Sequence, residues 1–179
     1  MAIQIGNTMS LTFSSEDIPT ALKRKRILIV TNTPSLRTLH AGFLRSKGFD
    51  YVFEAADGMQ AIDMLRVQPI DLIIADWQLE ELSGSDLLHT VRGSVAMSEI
   101  PFMMLTTKKD LPYVEDSLDL GDTDYLIKPF KTAQLGMKLV MALATSNYKA
   151  PKVIREDLRI RSMPMIPVLT EQVHHLKRA

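Results

Sequence analysis

The sequence predicts a doubly wound α/β domain: a parallel five-stranded sheet with helices on both faces. Three observations predict it. Short apolar runs recur at 27–30, 51–53, 72–75, 101–105 and 125–127, and unbroken runs of that length suit strands buried on both faces. Between them, apolar residues fall at helical spacing. Gly48, Pro69 and Gly121 punctuate the helical stretches, as glycine past a helix end and proline beyond it do. The pattern holds for about 120 residues, close to the mode for one domain.

Each element follows from its own residues. Ile27-Leu28-Ile29-Val30 is the first strand, and Leu36, Leu39, His40, Phe43 and Leu44 mark the inner side of the first helix. The second strand spans 50–54. Asp57 caps the next helix, which carries Ala61, Ile62 and Leu65 and stops before Pro69. The third strand is Leu72-Ile73-Ile74-Ala75, with Asp76 at its end. Ser83 and Gly84 open a helix with Leu87, Leu88 and Val91 inward. The fourth strand spans 101–105. A fourth helix spans 110–121, opened by Asp110 and Pro112 with Val114 and Leu118 inward. The fifth strand spans 125–127. Thr132 caps a fifth helix with Leu135, Leu139, Val140 and Leu143 inward. Alternation of this kind implies right-handed βαβ units. The flavodoxin-like order 2-1-3-4-5 is one of two common choices, and it places residues 31–33 beside Asp76 at the crevice where such sheets bind ligands.

The flanks read differently. We expect an N-terminal extension at 1–25, the domain at 26–147 and a C-terminal extension at 148–179. Ile3, Ile5, Met9, Leu11 and Phe13 alternate in strand fashion, and Ser15-Glu16-Asp17 can start a short helix near Ile18 and Pro19. Pro151, Pro164 and Pro167 forbid a long helix in the tail. There, residues 158–161 alternate like an exposed strand and 170–178 suit one short helix. Neither flank holds enough helical sequence for a helix-turn-helix, and the basic run Lys23-Arg24-Lys25-Arg26 is short, so nucleic-acid binding is not expected. His174 and His175 suit a surface pair more than a metal site.

Composition narrows the function classes. The 179 residues contain no cysteine, which excludes disulfides, thiolate metal sites and cysteine nucleophiles. No apolar run reaches membrane-span length, and no signal-peptide pattern opens the chain, so the expectation is a cytoplasmic protein. The formal net charge is zero, but it is unevenly spread. Residues 1–26 carry four basic and two acidic groups, 27–148 ten and sixteen, and 149–179 seven and three. Basic ends on an acidic body suit docking of the ends on the body, an acidic partner, or solubility alone.

Asp76 at a strand end is a solvated carboxylate, a metal ligand or a nucleophile. Several stretches in register decide among these: Ile27 to Val30, Glu54-Ala55-Ala56-Asp57-Gly58 with Ala61, Asp71 to Trp77 with Gly84, Pro101 to Thr106, and Tyr125-Leu126-Ile127-Lys128-Pro129-Phe130. Over residues 26 to about 146 the chain strongly resembles the receiver domain of bacterial response regulators, and most of all the single-domain chemotaxis type. The resemblance implies that Asp76 is the acceptor of a phosphoryl group from a histidine kinase and that Lys128 bridges to it. It also implies that Thr106 bonds a phosphoryl oxygen and that Tyr125 is the aromatic switch. It further implies a cis peptide between Lys128 and Pro129, and magnesium ligation by Asp76 and the backbone carbonyl of Gln78.

The site departs from the family pattern. That pattern places two adjacent acids after the first strand, where this chain has Thr31 and Asn32. Magnesium prefers charged oxygen ligands, and a unit charge pair near a protein surface interacts by about 4 kcal/mol at 4 Å. Magnesium binding through Asn32, Asp76 and Gln78 is therefore expected to be weak. Thr107 follows the switch threonine where the family has a small residue, and it narrows the phosphoryl entrance. Glu80 stands where proline is common. Phosphoryl transfer depends on positioning and charge neutralisation, so it is expected to be slow or absent.

Three readings follow. The first is an atypical, non-enzymatic receiver that binds a histidine kinase or another signalling protein. It is able to dimerise through the fourth helix, fifth strand and fifth helix, where Met137 and Met141 offer adaptable contacts. The second is a working phospho-receiver. The third is a flavin or nucleotide binder, because Thr31-Asn32-Thr33-Pro34-Ser35 loosely resembles a flavodoxin phosphate loop. Pro34 removes an amide donor that such a loop needs.

Overall fold

The computed structural model describes residues 14–15, 18–110, 113 and 123–145. The alternating residues 3–13, the helix expected over 110–121, and the tail with its strand, helix and His174-His175 pair lie outside the described residues.

The described elements are α1 (Thr20–Lys23), β1 (Arg26–Val30), α2 (Pro34–Ser46), β2 (Tyr51–Ala55), α3 (Gly58–Val67), β3 (Leu72–Asp76), α4 (Gly84–Arg92), β4 (Phe102–Thr107), β5 (Thr123–Lys128) and α5 (Thr132–Thr145). The sheet is parallel throughout, in the order β2-β1-β3-β4-β5. Strand alternation sorts the core into two layers. Leu28, Val30, Ile73, Ala75, Phe102 and Met104 face α3 and α4 through Ile62, Leu65, Leu87, Leu88 and Val91. Ile27, Ile29, Leu72, Ile74, Met103 and Leu105 face α2 and α5 through Ala41, Leu44, Leu135, Leu139 and Leu143. Both faces are therefore apolar, which is why the strands read as unbroken runs rather than alternations.

Local chemistry sets the helix ends. Asp57 accepts a hydrogen bond from the Gln60 amide at 2.7 Å, and Ser83 accepts one from the Asp86 amide at 3.1 Å, each satisfying an amide that its helix leaves unpaired. Gly48 follows α2 at φ +89°, a backbone shape that glycine adopts without steric cost. Two expectations change in detail. Leu39 is 54% exposed rather than inward, because the stripe of α2 that meets the sheet runs through His40, Ala41 and Leu44. Strands β4 and β5 extend beyond the apolar runs, to Thr107 and Lys128. This extension brings polar side chains to the carboxyl edge of the sheet.

Candidate functional site

The carboxyl ends of β1, β3, β4 and β5 surround a cleft of about 190 Å³ lined by Asn32, Thr33, Asp76, Trp77, Gln78, Leu105, Thr106, Thr107, Asp110 and Lys128. The order of the strands creates it. β1 and β3 are neighbours whose chains continue to opposite faces, so a crevice opens past their ends. The register pairs Val30 with Ala75 and Asp76 with Leu105, which brings Thr31 and Thr106 alongside Asp76. The loop after Asp76 returns so tightly that a Cβ on Gly84 would lie 2.2 Å from the Asp76 carbonyl oxygen. Only glycine fits there.

Asp76 is 4% exposed, and both its oxygens have partners. Lys128 Nζ donates to Oδ1 at 2.5 Å, and the Thr31 hydroxyl donates to Oδ2 at 2.6 Å. Thr31 is itself fully buried, and its carbonyl accepts from Arg37 on α2 at 2.6 Å. Thr106 is buried, and its hydroxyl contacts the Thr107 carbonyl at 3.4 Å. The Lys128–Pro129 peptide is cis. Asn32 is exposed, and its side-chain oxygen meets the Thr33 hydroxyl at 3.4 Å. Thus Asp76, Lys128, Thr106, Asn32 and Gln78 share one cleft. Tyr125 does not line it. That residue packs partly buried against the core layer of α3 and α4, and Lys138 Nζ lies 5.8 Å from its ring centre while bonding both Asp124 oxygens at 2.7 Å.

Two residues join the site that sequence reasoning did not assign to it. Asp110, read as a helix start, is 7% exposed and accepts from the Thr107 hydroxyl at 2.7 Å and from the Gln78 amide at 3.2 Å. Its contact with Gln78 spans 32 residues of sequence, which no local pattern signals. His40 is buried beneath the site. Its ring stacks on Phe130 at 5.5 Å, and its Nδ1 has no hydrogen-bond partner among the described residues. Burial lowers the His40 pKa from the ordinary 6.5, while the Asp76 charge works to raise it and the Lys128 charge to lower it further. A histidine within an otherwise apolar stripe is the sequence signal that marks this position. Among the described residues, no group of three or more His, Cys, Asp or Glu side chains gathers at metal-binding spacing.

Comparison with known proteins agrees with this geometry. The response regulator receiver domain model matches residues 27–140. The chain is 32% identical to the chemotaxis protein CheY-3 of Vibrio cholerae over 117 residues, 65% of this chain and 90% of that protein. Among solved structures, it is similar to the receiver domain of a Pseudomonas aeruginosa sensor histidine kinase with magnesium coordinated in the active-site cleft. That match has 32% identity and a TM-score of 0.61, covering 68% of this chain and 99% of the other. It is also similar to CheY4 of Vibrio cholerae, with 27% identity and a TM-score of 0.59, covering 65% and 98%. No described helix is long and apolar enough to cross a membrane. The sheet order, the cleft at its carboxyl edge and the match over most of the chain lead to one assignment: the protein belongs to the response regulator receiver family of two-component signalling.

Proposed function

We propose that this receiver works chiefly as a protein-binding signalling module, not an enzyme, and that phosphorylation of Asp76 is weak or absent. The observation that carries this reading is the closure of Asp76: one oxygen accepts from Lys128 and the other from the Thr31 hydroxyl. In this reading Thr31 and Asn32 stand where receivers place two acids. The nucleophile then rests in a neutral-plus-cation shell instead of beside a dication. Lys128 and Thr106 keep the positions from which they would bind a phosphoryl group, and Tyr125 keeps that of the switch aromatic.

The donor set does not fit tight magnesium. Asp76 is the one carboxylate at the strand end, Asn32 offers a neutral oxygen and Gln78 a carbonyl, and the oxygens of the other cleft carboxylate, Asp110, are engaged by Thr107 and Gln78. Magnesium is held by charged oxygens and gives up water reluctantly. When bound, it would neutralise charge at the phosphoryl group; here binding through Asn32, Asp76 and Gln78 is proposed to be weak. The partner is a histidine kinase or another signalling protein in the cytoplasm. Self-association would use the segment 110–121, β5 and α5. The receiver unit is taken as 26–147, between extensions at 1–25 and 148–179. A cleft of about 190 Å³ falls below the roughly 300–1,000 Å³ of small-molecule pockets, which argues against a flavin.

A second reading, a working phospho-receiver, draws support from the presence of Asp76, Thr106 and Lys128 in one cleft. Intact-mass analysis after incubation with acetyl phosphate and magnesium separates the two. The first reading predicts little or no adduct. A stoichiometric adduct lost in Asp76→Asn establishes the second.

A further inference from the structure

One wall of the cleft is a hydrogen-bonded unit with a carboxylate at its centre. The backbone amide of Asp110 bonds the Thr107 carbonyl at 3.1 Å, and the Thr107 hydroxyl returns to Asp110 Oδ2 at 2.7 Å. Those two bonds close a local turn. The third bond is not local: Gln78 Nε2 reaches Asp110 Oδ2 at 3.2 Å from the loop that leaves β3 beside Asp76. The loop after β3 and the turn after β4 are thereby tied together. The tie fixes a buried carboxylate whose side-chain hydrogen-bonding partners among the described residues, a hydroxyl and an amide, are both neutral.

The charge balance of the lining gives this arrangement a consequence. Among the cleft-lining residues Asp76 and Asp110 are acidic and Lys128 is basic. Lys128 is already paired with Asp76, so Asp110 leaves the cleft with one net negative charge. Lys108 and Lys109, the next cations along the turn, are exposed to solvent. A phosphoryl donor is an anion. To reach Asp76 it must enter a cleft whose lining holds a fixed carboxylate, and near a protein surface like charges repel more strongly than in water.

We infer that Asp110, held by Thr107 and Gln78, is a gate that repels phosphoryl donors from Asp76. The inference rests on the reading of Asp76 as the acceptor position, and to the loss of the acidic metal ligands it adds a second barrier. The loss of acidic metal ligands slows transfer by removing a cation; Asp110 slows it by adding an anion. The step being gated balances without a proton. An Asp76 oxygen attacks the phosphorus of acetyl phosphate, the bond from phosphorus to the acetyl oxygen breaks, and acetate leaves with the electron pair.

The test uses the full chain with acetyl phosphate and excess magnesium, read by intact mass over time. Asp110→Asn keeps the size of the side chain and an oxygen for Thr107 while removing the charge, and Asp110→Ala serves as a second variant. Each is made in the natural sequence and in a Thr31→Asp/Asn32→Asp background. In that background, Asp110→Asn is expected to speed labelling about tenfold. Equal rates with and without Asp110, or no labelling in either, overturns the gate. Labelling of the unmodified protein to completion sinks the closed-site reading alone. The gate then still stands if Asp110→Asn accelerates that labelling, and falls if it does not.

Discussion

The carboxyl edge of the sheet and the outer side of α5 present contrasting surfaces. At the sheet edge Asp76 is buried and both of its oxygens are bonded within the protein. On α5, Met137 and Met141 are 38% and 64% exposed, four residues apart on one side. Lys138 lies between them in sequence and pairs with Asp124 over the ring of Tyr125. A carboxylate is enclosed in one region, while two flexible apolar side chains stand exposed in the other. The difference suits the proposed function, in which output depends on what docks beside β5 more than on what is transferred to Asp76.

The sharpest contrast lies within α5 itself. Leu139 is fully buried between the exposed methionines. Leu139→Ala should cost about 3 kcal/mol in urea unfolding, from lost transfer energy plus a cavity. Met141→Gln should stay within about 0.5 kcal/mol. If both cost the same, α5 does not have one inner and one outer side.

Breaking the closure at Asp76 should cost less. Lys128→Met leaves a buried carboxylate with a single hydroxyl partner and should destabilise by about 2 kcal/mol. The figure sits below that for a fully buried pair because the Lys128 side chain keeps 28% of its exposure. Thr31→Val removes the other donor at nearly constant volume and should cost about 1.5 kcal/mol, in the range for a hydrogen bond to a charged group. Guanidinium or urea midpoints of the two variants check both, and a null effect in either would break the picture of a closed nucleophile.

The smallest effect concerns His40. Its folded pKa is lowered below 6.5, chiefly by burial. The unfolded chain therefore takes up a proton before the folded one does as pH falls. Stability should decline as pH drops through about 6.5 and level off below the lowered folded value. His40→Leu removes this slope and an unpaired buried nitrogen, raising neutral-pH stability by about 1 kcal/mol. Thermal melts of both proteins across that window show whether the slope belongs to His40.

The fold was largely legible because its strands are buried on both faces. Ile27 to Val30 and Leu72 to Ala75 read as strands from composition alone. The strand order came from likeness to a family, since pairing is not written in a run of isoleucines. Shared membership of one cleft was legible where motif spacing sets it, as at Asp76, Thr106 and Lys128. It was not legible where a bond joins distant segments. Thr31 was read as a missing acid, and nothing local says that its hydroxyl reaches an aspartate 45 residues away. Asp110 was read as a helix start for the same reason. Leu39 misled because helical spacing marks a stripe without saying where its edge falls.

The central claim concerns the charge missing around Asp76, and Trp77 makes it measurable. The chain has one tryptophan, and it lines the cleft, so its fluorescence reports on the site directly. Titrating the unmodified protein with magnesium should give a shallow response that does not saturate in the low millimolar range. Saturation at micromolar magnesium, abolished by Asp76→Asn, would contradict the account.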